Sequence, residues 1–102
     1  MRYARIWRGR TRRDKADDYE RYWRANGVKP LLDRGARRVQ MLREDGETEC
    51  EFVTISWWDS IEAMGAGPEP RRTHHLPRDP EFLLELPEHV QILKLLETQG
   101  GI

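Results

Sequence analysis

The residues with the most chemistry in them are the adjacent pair His74 and His75, set in a segment rich in Gly, Pro and Arg. Imidazole titrates near neutrality and takes a proton from a phenolic substrate. On a solvated loop the same pair caps a turn or faces water, and the sequence leaves both open. Arg71, Arg72 and Arg78 surround the pair and suit an enolate or carboxylate, or simply solvent. Trp7, Trp23, Trp57 and Trp58 supply either flat walls for an aromatic ligand or the bulk of a small core. Trp58 is the best wall, because Thr54 and Ser56 beside it leave room where a packed core wants bulk. Asn26 is a polar anchor or the end of a helix; Arg38 and His89 are lining residues or cross-strand partners. Cys50 reads as a small buried hydrophobe. The candidate site is therefore His75 and His74 as base, with Trp58, Trp23, Asn26, Arg38, Ser56 and Thr54 around the substrate. A single cysteine rules out an intrachain disulfide, and no Cys/His spacing resembles a zinc site, so no metal is expected.

The elements that position these residues follow from periodicity. Alternating β-branched and aromatic residues make Phe52–Trp58 the central strand, with Asp59 or Ser60 capping a short helix to about Met64. Before it, residues 2–9 form a first strand with Tyr3, Arg5 and Trp7 on one face and Ala4, Ile6 and Arg8 on the other. Thr11 is a good N-cap for an amphipathic helix from Arg12 to Asn26, whose inner face carries Ala16, Tyr19, Trp23 and Asn26. Gly27 closes that helix, and Pro30 opens a further turn that ends at Gly35. Residues 36–43 form a second strand, and Asp45-Gly46 predicts a two-residue hairpin that sets Met41 against Cys50 and Val39 against Phe52. Beyond the irregular 65–81 stretch, a helix from Asp79 to Leu86 and a strand from His89 to Glu97 are expected, then a loose tail at 98–102.

The order β-α-β-β-α-β predicts one α+β domain of the ferredoxin-like, split βαβ kind, with an antiparallel four-stranded sheet and the third strand between the first and second. Each face of the second hairpin is apolar over half its length, which points to covering on both sides. Residues 1–43 carry 14 Lys/Arg against 5 Asp/Glu, and residues 44–102 carry 4 against 13. Interleaved strands neutralise that asymmetry, so no nucleic-acid partner is expected. No apolar run reaches the ~18 residues of a membrane span, and the arginine-rich N-terminus is unlike a signal peptide. A cytoplasmic location is expected, with no membrane partner.

Ala4-Arg-Ile-Trp-Arg-Gly-Arg-Thr11, the Tyr-rich helix after it, and Phe52-Val-Thr-Ile-Ser-Trp-Trp-Asp-Ser-Ile-Glu-Ala63 resemble the antibiotic biosynthesis monooxygenase family over about residues 2–97. The resemblance implies a homodimer in which two sheets pack face to face into one α+β barrel. It also implies cofactor-independent oxygenation of an aromatic or quinol-like small molecule. An isomerase or cyclase step, or non-catalytic binding, is the alternative. Haem-degrading relatives use an Asn on the first strand and a Trp after the second helix start. This chain has neither, and only His74 or His75 stands near the third expected position.

Overall fold

The computed structural model describes residues 1–65 and 67–101. Ala66, within the irregular stretch, and Ile102, at the end of the tail, lie outside the described residues. The chain is an α+β domain: β1 (Tyr3–Arg12), α1 (Ala16–Asn26), α2 (Lys29–Arg34), β2 (Arg38–Asp45), β3 (Glu49–Trp58), α3 (Asp79–Phe82) and β4 (Gln91–Lys94). The four strands form one antiparallel sheet in the order β2-β3-β1-β4. β3 thus lies between β1 and β2, as the order of elements predicts.

β1 runs three residues past its expected end. All ten of its residues pair with β3, from Tyr3 opposite Trp58 to Arg12 opposite Glu49. The extension places arginines beside acids, with Arg10 2.8 Å from Glu49 and Arg8 3.6 Å from Glu51. Thr11 is consequently a buried strand residue and not an N-cap; a 3₁₀ turn at Arg13–Lys15 leads into α1 instead. Gly9 within it leaves room for the Trp7 indole, because a Cβ there would lie 2.5 Å from Cη2 of Trp7. The opposing halves of the charge pattern do meet across the fold, Arg37 to Asp59 at 2.7 Å among them.

The hairpin register differs from the expected one by four residues. Val39 faces Ser56 and Met41 faces Thr54, and Asp45 opposite Cys50 closes a longer loop in which the Gly46 N–H donates to Glu49 O at 2.8 Å. The Asp-Gly signal therefore marks the loop without setting its length. An even shift keeps every side chain on its expected face, so periodicity alone cannot distinguish the two registers. The observed register brings Arg43 over the Phe52 ring, 5.4 Å from its centroid.

The face of the sheet under the helices holds the core. Tyr19 and Trp23 of α1 pack on Phe52, Cys50 and Trp7, and Leu31 of α2 packs with Ala36, Trp58 and Met64. α2 ends at Gly35, whose left-handed φ of 114° lets the N–H groups of Gly35 and Ala36 bond back to Leu32 and Leu31. After β3 the expected helix is a single 3₁₀ turn, Glu62–Met64, and the Ser60 hydroxyl accepts from the Ala63 N–H.

The C-terminal third is less regular than expected. α3 stops after four residues because Leu83 bridges to Thr11 and the Leu84 N–H donates to Arg10 O at 2.8 Å. Those bonds cover the end of β1 that β4 leaves open, since β4 pairs only with Tyr3 to Ile6. Residues 88–90 face back onto the loop instead: the Thr73 N–H donates to Glu88 O at 2.9 Å and the Val90 N–H to Arg71 O at 2.7 Å. His89, expected in the last strand, forms an isolated bridge with Arg72. Among the described residues no helix is long and apolar enough to cross a membrane.

Candidate functional site

Between the sheet, α1, α2 and the 73–79 segment lies a cavity of about 230 Å³. Its strand side is built by alternation. Arg5 and Trp7 of β1 and Thr54 of β3 point to the helix-facing side because they share a face with Phe52, Ser56 and Trp58. Tyr19 and Trp23, one helical turn apart, form the wall from α1, and Pro30, Leu31 and Arg34 that from α2. His74, His75, Leu76 and Asp79 close the remaining side. The bonds between Arg71 or Thr73 and residues 88–90 fix that segment on one flank. On the other, Asp79 Oδ2 accepts the Leu76 N–H at 2.9 Å.

The two hydroxyls of β3 have a packing role. Thr54 Oγ1 accepts the indole N–H of Trp23 at 3.0 Å, and Ser56 Oγ accepts that of Trp58 at 2.8 Å. Two buried indoles each need an acceptor, and the strand supplies one for each. Of the residues singled out by sequence, His74, His75, Trp23 and Thr54 meet at the cavity. Trp58 and Ser56 are fully buried in the neighbouring core, outside the cavity lining. Asn26 is exposed at the end of α1, its amide donating to Tyr22 O at 2.8 Å. Arg38 is exposed on the far face of the sheet, opposite Trp57. Trp7 lines the cavity, whereas Trp57 lies on the far face with its indole N–H on Gln40. Among the flanking arginines, Arg72 pairs with Glu69, and Arg78 pairs with Glu81 while lying over Tyr22 and Phe82.

The cavity is electrostatically unusual. Arg5 is 5 % exposed, yet its Nε and Nη2 find no hydrogen-bond partner among the described residues. Burial, with the nearby charge of Arg34 adding to it, brings its pKa down to about 10. Burial also lowers the pKa of Arg34, whose Nη2 donates to Met64 O at 2.7 Å and whose Cζ lies 5.7 Å from the centre of the Trp58 ring. The pKa of His74 is lowered, first by partial desolvation and then by Arg34, Arg5, Arg72 and His75, although the residue as a whole is exposed. His75 Nδ1 is buried, unpartnered among the described residues, and 4.0 Å from Asp79 Oδ2. Asp79 is held above its ordinary pKa by burial, although the Leu76 N–H and the Tyr19 hydroxyl, at 3.0 Å, oppose that shift.

Arg5, Arg34, Asp79 and Tyr19 are the site residues that the sequence reading passes over. Arg5 carried a signal: it stands between Tyr3 and Trp7 in the inward alternation of β1, where an apolar residue is expected. Arg34 and Asp79 reach the cavity only through tertiary packing. Among the described residues no cluster of His, Cys, Asp and Glu is arranged to hold a metal ion. No family model, no curated protein and no solved structure matches the chain.

Proposed function

We propose that this chain is a homodimeric α+β barrel protein of the antibiotic biosynthesis monooxygenase type, acting on a small aromatic or quinol-like molecule without a cofactor. The observation that carries the reading is an imidazole, His74, lining a cavity walled by Trp7, Trp23 and Tyr19. A neutral imidazole beside cations removes a proton from a carbon or phenol flanking a carbonyl, and those cations stabilise the anion formed. The electron-rich anion reduces dioxygen at its nucleophilic carbon (the α carbon, or the para ring carbon of a phenolate, which is the CH₂ of its keto tautomer), and the hydroperoxide formed there loses water. In total an activated CH₂ plus O₂ becomes C=O plus H₂O, the substrate supplying all the electrons.

The sheet order β2-β3-β1-β4 is that of a ferredoxin-like fold and supports the barrel reading. The side of the sheet away from the helices carries Ile6, Val53, Ile55, Trp57 and a 44 % exposed Leu93, an apolar surface suited to a second sheet. Cavity size narrows the substrate. A cavity of ~150 Å³ accepts benzene, so about 230 Å³ suits one substituted ring or two fused rings. Oxygen uptake with a panel of one- and two-ring hydroquinones and aryl ketones tests the reading. Loss of uptake in a folded His74→Ala/His75→Ala variant is the expected result; undiminished uptake removes the histidines from the mechanism.

Asp79 favours a second reading. A carboxyl group held toward its neutral form, with His75 4.0 Å away, can return to one substrate atom the proton that an imidazole takes from another. That is an isomerase or cyclase step needing no oxygen. Product formation under strict anaerobiosis selects it over oxygenation.

A further inference from the structure

We infer that the ligand of this cavity is a small aromatic carboxylate, its carboxylate seated on the guanidinium of Arg5 with Arg34 as the second cation. The inference rests on the cavity being the small-molecule site proposed above, and is independent of whether oxygen is used.

The argument begins with which atoms of Arg5 are orphaned. Nε and Nη2 form one edge of the guanidinium, and their two N–H bonds run parallel at the spacing of carboxylate oxygens. Both are buried, and neither has a partner among the described residues. Arg34 repeats the pattern at Nε, while its bond to Met64 O and its position over Trp58 hold its head in place. Both side chains line the same cavity. With a pKa of about 10, Arg5 keeps its charge at neutral pH.

Counter-charge within the fold is missing. Among the described residues no carboxylate stands within ion-pair distance of Arg5 or Arg34. Asp79 shares the cavity, but its Oδ1 accepts the Tyr19 hydroxyl and its Oδ2 the Leu76 N–H. A buried cation without a partner is strongly unfavourable, and two facing one space more so. An anion entering that space supplies what the fold withholds. The other walls choose the rest of the ligand: Trp7, Trp23, Tyr19, Leu31 and Leu76 present flat and apolar surface. An inorganic oxyanion matches the arginines but leaves those walls unused.

The test is calorimetric titration of the full chain with phenylacetate, benzoate and 2-naphthoate, each against its primary amide, and with inorganic phosphate alone. The expected result is at least one acid bound tenfold or more tightly than its amide. In Arg5→Met that preference falls to about one while the amide still binds. Arg5→Lys, which keeps the charge and loses the fork, falls between them. Thermal melting of each variant confirms that it is folded. Equal binding of acid and amide by the wild type overturns the anion assignment and leaves the cavity a small-molecule site. A preference surviving in Arg5→Met overturns the role of Arg5. Phosphate bound as tightly as the acids overturns the aromatic half, and binding of no compound overturns both this inference and the reading beneath it.

Discussion

Arg43 and Arg5 share the helix-facing side of the sheet, on the two strands that flank β3, and their surroundings are opposite. Arg43 stands 2.9 Å from Asp17, 3.0 Å from Glu20 and 2.6 Å from Asp45, and lies over Phe52. Its pKa is raised, chiefly by the hydrogen bond to Asp45. Arg5 is more deeply buried and has no such partner among the described residues; its pKa is lowered. At Arg43 the electrostatics close within the chain. At Arg5 they stay open, and an open charge beside apolar walls is a binding feature, because stability alone would remove it.

The sharpest test of this contrast is the sign of two matched substitutions. Arg43→Met removes three ion pairs to exposed or half-exposed carboxylates, of which Glu20 keeps its pair with Arg24, and is expected to cost about 1 kcal/mol. Arg5→Met removes a buried unpaired cation and is expected to leave stability unchanged or raise it. Urea denaturation of both variants without ligand decides, and equal destabilisation would erase the distinction between the two sites.

A second substitution tests whether the walls near Arg5 are held in place. Thr54→Val keeps the shape of the side chain and leaves the Trp23 indole N–H without its acceptor, at an expected cost of about 1–2 kcal/mol. Thr54→Ser should recover most of it. If valine is tolerated at no cost, Trp23 does not depend on that bond.

The least effect is on pH dependence. His74 has a lower pKa folded than the 6.5 of an unfolded chain, and the groups responsible after burial are Arg34, Arg5, Arg72 and His75. The unfolded chain binds more protons in that window, so the contribution of His74 is complete above pH 6.5 and is lost as pH falls toward its folded value. Asp79 works in the other direction: with its pKa raised from 3.8, its contribution is full below that value and is lost as pH rises through the folded one. His74→Gln is expected to flatten the rise in stability just below pH 6.5, measured as the urea midpoint against pH. A slope unchanged in the variant would place the imidazole outside the influence of Arg5 and Arg34.

Much of the fold was legible in the sequence because strand alternation and helical spacing are local signals. Alternation groups Cys50, Phe52, Thr54, Ser56 and Trp58 on one face of β3, and the structure buries all five. The hairpin register was not legible, since a shift by four residues conserves every face. Nor was the early end of α3, which is decided by Leu83 and Leu84 finding the free end of β1. The site divides in the same way. His74 and His75 stood out by residue type, and Trp23 by helical spacing. Arg5 shares a face with Tyr3 and Trp7 by alternation, but which face of β1 is covered is settled only by the packing of α1 and α2. Asn26 falls on the apolar face by spacing, yet as the last residue of α1 it is exposed, its amide turned back to Tyr22 O.

The placement of the indoles makes the protein its own optical instrument. Trp7 and Trp23 line the cavity, Trp58 is sealed beneath Arg34, and Trp57 lies on the opposite side of the sheet. Filling of the cavity should quench or shift the emission of the first two, while association through the bare side of the sheet should blue-shift that of Trp57. Single-tryptophan variants retaining Trp23 or Trp57 would therefore report ligand entry and subunit pairing separately in parallel titrations, with no label attached.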